Sequence, residues 1–153
     1  MGSLSAPSTY AEWSDLLNRL KEKEDDDTIL RAMRSGTLAW QAGVAERFSK
    51  KLIEVVNFRM NMASDRFQKS MSHSRGQERE IVQALTSLRR ELVFLLRVVD
   101  LSAIPAKDRQ QYADLVTQQA SKIQKSLEES AKRDRSGKLS VIVKNNRVDK
   151  LTR

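Results

Sequence analysis

The chain has 153 residues, 39% of them hydrophobic and 31% charged, with a formal net charge of +8. That length suits one domain with a sizeable core, and the lack of cysteine excludes disulfides and thiolate metal sites. A single histidine, His73, disfavours a zinc enzyme that needs three ligands and a nucleophile–histidine pair alike.

Residues 9–12 read Thr-Tyr-Ala-Glu, a capping box in which each end's side chain satisfies an orphan amide at the start of a helix. Trp13, Leu16, Leu17 and Leu20 then recur at helical spacing and predict a first, short helix with one apolar stripe. The acidic run at 22–27 cannot continue that stripe. It reads as a solvated connection, lacking the Gly and distal Glu of a calcium loop. Asp27 is the expected cap of a second short helix carrying Ile29, Leu30 and Met33, which Gly36 should end from the left-handed position.

Thr37 is the expected cap of a long third helix running to about Ser70. At 100° per residue its polar positions fill only about 100° of arc. Apolar residues take most of the rest, with Trp40, Val44, Phe48, Leu52, Val55, Phe58 and Met62 on one side. Trp40 is therefore expected to be buried, and a helix this widely apolar needs at least two neighbours. The Ser-rich stretch 70–77 is the best turn signal between the long segments, with Ser74 and Gln77 at capping-box spacing for a fourth helix.

That fourth helix has the cleanest pattern: Ile81, Leu85, Leu88, Leu92, Leu95, Leu96 and Val99 share one face. Pro105 restrains Ile104 to extended geometry and suits the first turn of a fifth helix. Tyr112, Leu115, Val116, Ile123 and Leu127 give it a narrower stripe, until Ser136-Gly137 stops it. The β-branched run in Leu139-Ser140-Val141-Ile142-Val143 suits an extended arm or short strand. The expected architecture is all-α. Three long antiparallel helices (the third, fourth and fifth) form a bundle with two short N-terminal helices in a single domain over 1–137, and 138–153 form a basic extended or flexible tail.

No signal-peptide pattern is present, and the greasiest run, 92–101, is interrupted by Arg97 and Asp100 and too short to span a bilayer. Gly2-Ser3 reads as a cloning remnant, and Ala6 stands where a myristoylation signal wants Ser or Thr. The expectation is a soluble cytoplasmic protein with no membrane partner.

The charge is uneven. Residues 1–35 carry 5 basic and 7 acidic side chains, 36–75 carry 7 and 3, and 136–153 carry 5 and 1. Arg59, Arg66 and Lys69 on the third helix, with Lys138, Lys144, Arg147 and Lys150 in the tail, are the candidate contacts for an anion or a nucleic acid. Basic side chains beside an apolar arc also snorkel around it without binding anything. The tail has no aromatic residue for stacking on bases, and no helix-turn-helix spacing is present.

No phosphate-cradling Gly motif and no di-iron Glu-x-x-His motif occurs, so neither cofactor nor metal is expected. The reading that follows is a noncatalytic interaction or assembly protein that works through helix surfaces and self-associates or takes a protein partner. The alternative is a basic nucleic-acid-binding accessory protein. An enzyme whose carboxylates and arginines are gathered only by folding comes third.

Overall fold

Thr9 begins the first helix as its local chemistry requires. Its hydroxyl accepts from the Glu12 amide at 3.2 Å, while the Glu12 carboxylate accepts from the Thr9 amide at 3.2 Å. The Ser8 amide, at 3.0 Å, and then the Thr9 amide hold the Glu12 carboxyl below the ordinary Glu range. The computed structural model describes residues 4–151, so Gly2-Ser3 and the last two residues of the tail lie outside it. Among the described residues all regular structure is helical: α1 (Tyr10–Lys21), α2 (Asp26–Arg34), α3 (Ala42–Ser74), α4 (Glu78–Val99), α5 (Ala106–Ala131) and α6 (Lys138–Asn145). No helix among them is long and apolar enough to cross a membrane. The third, fourth and fifth are the long ones, as expected.

The chain divides into two compact units, Met1–Arg59 with Arg97–Tyr112 and Met60–Leu96 with Ala113–Arg153. Each of the three long helices supplies residues to both.

In the first unit α1 packs on α2, burying Trp13, Leu16, Leu17 and Leu20 together with Ile29, Leu30 and Met33. Trp13 is the centrepiece. Its ring meets Phe48 edge-on at 5.5 Å, and its indole N–H donates to the Thr37 carbonyl at 2.8 Å. The Thr37 amide donates in turn to the Pro7 carbonyl at 2.9 Å. With both backbone groups so committed, Thr37 does not cap α3, which starts at Ala42, four residues later than expected. Trp40 consequently precedes the helix and is half-buried rather than central, its edge against Phe48 at 5.1 Å.

Two further local expectations change in this unit. Asp25, at φ 78°, caps α2 in place of Asp27, its carboxylate accepting from the Thr28 amide at 3.4 Å. Gly36 does not adopt a left-handed conformation. It is needed for space, because a Cβ there would lie 2.6 Å from Cζ2 of Trp13 and 2.9 Å from Cγ of Pro7. The most deeply buried charge is Arg59, 1% exposed, whose guanidinium grips the Asp26 carboxylate through two 2.8 Å bonds and donates to the Leu20 carbonyl at 3.0 Å. Tyr112 adds a 2.6 Å bond to Ser49, and burial pushes its phenol up.

In the second unit the clean face of α4 is buried as its pattern requires: Ile81, Leu85, Leu88, Leu92, Leu95 and Leu96 are all at most 7% exposed. Met60 and Ala63 on α3 and Val116 and Ala120 on α5 complete this aliphatic core. The turn before α4 is shorter than expected. α3 runs on to Ser74, and Arg75 and Gly76 reverse the chain from consecutive left-handed conformations at φ 52° and 78°. Ser74 ends α3 instead of capping α4: its hydroxyl donates to the Met71 carbonyl at 2.7 Å and accepts from the Gly76 amide at 3.4 Å.

The largest correction concerns the tail. Residues 138–145 are helical, not extended, because the gain from seating Ile142 (6% exposed) and Val143 (2%) outweighs their modest β preference. α5 stops earlier than expected, at Ala131, and Gly137 begins α6 instead of ending α5.

Candidate functional site

The site worth describing lies in the second unit, where the segment after α6 meets α4. It starts from one carboxylate. Asp134 accepts from the Leu139 amide at 3.0 Å, from the Ser136 amide at 3.3 Å and from the Ser136 hydroxyl at 2.9 and 3.0 Å. The Leu139 amide above all, then the Ser136 hydroxyl, holds its carboxyl below the ordinary Asp range. Gly137, at φ 75°, supplies the left-handed turn that a side chain would resist. Thus the chain reverses into α6 at a fixed point.

Past α6 the chain is pinned residue by residue. The Asn146 side-chain amide donates back to the Ile142 carbonyl at 2.8 Å, covering an orphan acceptor at the helix end. The Val148 amide donates to the buried Gln124 side-chain oxygen at 3.0 Å, and the Val148 side chain is fully buried. Arg147 forks onto Asp149 at 2.8 and 2.9 Å and lies 3.6 Å from Glu128. That hydrogen-bonded pairing pushes the Arg147 guanidinium further up and the Asp149 carboxyl down. Finally, Nε of Arg89 on α4 donates to the Lys150 carbonyl at 2.6 Å.

The result is a groove of about 310 Å³ with Thr86, Arg89, Asn145, Asn146, Arg147 and Lys150 in its lining and Leu85 as its apolar member. Its charges are not equivalent. Arg147 is balanced by Asp149 and Glu128. Among the described residues no carboxylate lies within 4 Å of the side-chain nitrogens of Arg89 or Lys150. Two cations outside any ion pair, beside neutral amides and a hydroxyl, make an acceptor-seeking surface.

The structure distributes the expected contact residues unequally. Arg147 and Lys150 come together in the groove, while Lys138 and Lys144 are exposed on α6 of the same unit. Lys69 is exposed on α3, and Arg66, with its side chain 53% exposed, lies 3.7 Å from Glu91. Arg59 presents no face to solvent, being closed around Asp26. Arg89 was not among the expected contacts. Its only signal is its place in the Arg89-Arg90 pair, which on a helix reads like any solvated charge.

Among the described residues no group of three His, Asp or Glu side chains is placed to hold a metal ion. His73 stands exposed near the end of α3 with Nδ1 2.6 Å from the Lys69 carbonyl. Comparison with protein-family models, curated proteins and solved structures finds no match for this chain.

Proposed function

We propose that this chain is a noncatalytic assembly protein: its three long helices pack antiparallel, and a helix surface left uncovered takes a second copy or a protein partner. The supporting observation is on α3. Phe58 and Met62, one turn apart on this helix, are 40% and 44% exposed, although the neighbouring buried positions Val55, Val56 and Met60 are at most 6% exposed. One flank of the wide apolar arc is thus uncovered, and large apolar side chains exposed together mark contact surfaces more often than isolated ones do. Lys21 stands over the Phe58 ring at 4.8 Å, which keeps the edge of this strip polar. Light scattering across a concentration series is the test. Wild type should self-associate or bind its partner, and Phe58→Asp should abolish that while leaving the helical circular dichroism intact. A wild type that stays monomeric and partnerless to high micromolar concentration overturns the reading.

A second reading, a basic nucleic-acid-binding accessory protein, is supported by the charge balance. The second unit carries 16 basic against 9 acidic side chains, +7, whereas the first carries 12 against 11, +1. Nearly all of the chain's excess charge therefore belongs to the unit that contains the groove. Binding to a duplex should weaken steeply with salt, because each neutralised phosphate releases counterions.

A further inference from the structure

We infer that the groove of Arg89 and Lys150 holds a backbone phosphate of a nucleic acid, contacted without regard to base sequence. This rests on the second reading above and gives it a place. The Arg89 guanidinium is oriented by its Nε bond to the Lys150 carbonyl, and among the described residues its two terminal nitrogens make no hydrogen bond or ion pair. A guanidinium fixed at one nitrogen and open at the others matches the paired oxygens of a phosphate, and Lys150 adds a mobile point charge beside it. Asn145 and Thr86 bring neutral donors to the same lining.

The backbone of the groove is firmly set. Gln124 holds the Val148 amide, Arg147 is locked by Asp149, and Asn146 closes the end of α6. An anion entering here meets a guanidinium that is already positioned, which lowers the ordering cost of binding at that contact.

The surroundings point to a polyanion rather than a lone phosphate ester. Exposed Lys138 and Lys144 lie on α6, and the unit's excess of +7 would go unmatched by one monoester. No aromatic side chain lines the groove, so bases have no stacking platform there and the contact falls on the backbone.

Fluorescence anisotropy of a labelled, mixed-sequence DNA duplex against salt provides the test. Three proteins are compared: wild type, Arg89→Gln/Lys150→Gln, and Lys122→Gln/Lys125→Gln, which removes the same charge from exposed positions on α5. The groove variant should flatten the log–log salt slope by about 0.9, the single phosphate contact that the groove supplies. The α5 variant should leave that slope unchanged. Lys150→Gln alone, at a side chain that makes no bond among the described residues, should remove about half of the effect and guards against misfolding of the Arg89 variant.

An unchanged slope in the groove variant, or equal flattening by the α5 variant, overturns the groove while leaving duplex binding by the unit in place. A wild type that binds no duplex at about 50 mM salt removes the second reading itself. A phosphoserine peptide that displaces the duplex and binds more tightly at the same salt overturns the assignment to nucleic acid.

Discussion

The two units solve the same packing problem with different chemistry. The first is nearly neutral, and its interior is polar at chosen points: a tryptophan whose indole is hydrogen-bonded, an arginine closed around an aspartate and a tyrosine bonded to a serine. The second carries almost all the excess positive charge over a mainly aliphatic core. Polar groups inside the first unit specify which residues meet, because each would be costly if left without its partner. The second unit buries the longer aliphatic face and has polar groups of its own inside, Ser74, Glu91 and Gln124, the last of which pins the Val148 amide. The Arg89 and Lys150 side chains of its groove have no carboxylate in ion-pair reach among the described residues, which is why the groove invites a ligand.

The largest effect that would sharpen this contrast is in the aliphatic core. Leu92, 1% exposed on the clean face of α4, should cost about 2–5 kcal/mol when truncated to alanine, from lost transfer energy plus the cavity left behind. Urea denaturation of Leu92→Ala should show this loss equally at low and high salt, since no charge is involved. A midpoint identical to wild type would mean that the face is not the core.

The buried ion pair should come next. Removing the partner with Asp26→Ala leaves the Arg59 charge inside the first unit, a loss of about 3 kcal/mol. Asp26 is itself partly exposed, which is why the lower end of the usual range is chosen. Thermal melts of Asp26→Ala and of Arg59→Met/Asp26→Ala form the check. The double variant should recover much of the loss, because it removes the stranded charge. If the double variant is worse than the single one, polar specificity is not what organises this unit.

The smallest effect is a pH dependence local to the second unit. The Asp134 carboxyl titrates below its unfolded value because the folded chain bonds its ionised form. Its stabilisation is therefore fully present above the ordinary Asp value of about 4 and is lost as pH falls through the lower, folded value. Protection of the Leu139 amide, measured relative to its intrinsic exchange rate, should fall across that acid window, and in Asp134→Asn the step should vanish. Exchange that ignores the acid limb in wild type would mean the carboxylate does not anchor α6.

Local signals were legible where a short stretch of chain settles the outcome alone. The Thr9–Glu12 capping box, the α1 stripe, the single face of α4 and the break at Pro105 all stand as read. Helix ends were misplaced where a distant group decided them. Asp25 and Asp27 are equally good caps by type, and the backbone chose the former by entering the left-handed region at φ 78°. Thr37 is a fine cap by type too, but the Trp13 indole and the Pro7 carbonyl had taken its backbone. The groove was half legible. Lys150 and Arg147 lay in a visibly basic tail, whereas Arg89 is 61 positions from the carbonyl it bonds.

Periodicity determined that this chain is helical and which face of each long helix is apolar, because those properties depend on neighbours three and four residues away. Composition alone determined the +8 charge and the lack of thiol chemistry. Tertiary structure decided what periodicity has no access to. It made a helix of Lys138–Asn145 by burying Ile142 and Val143, closed Arg59 around Asp26 and left Phe58 and Met62 uncovered. Each of those outcomes turns on whether a partner far along the chain arrives at the same place. Burial and ion pairing are energies of proximity, and proximity between residues dozens of positions apart exists only once the chain has folded.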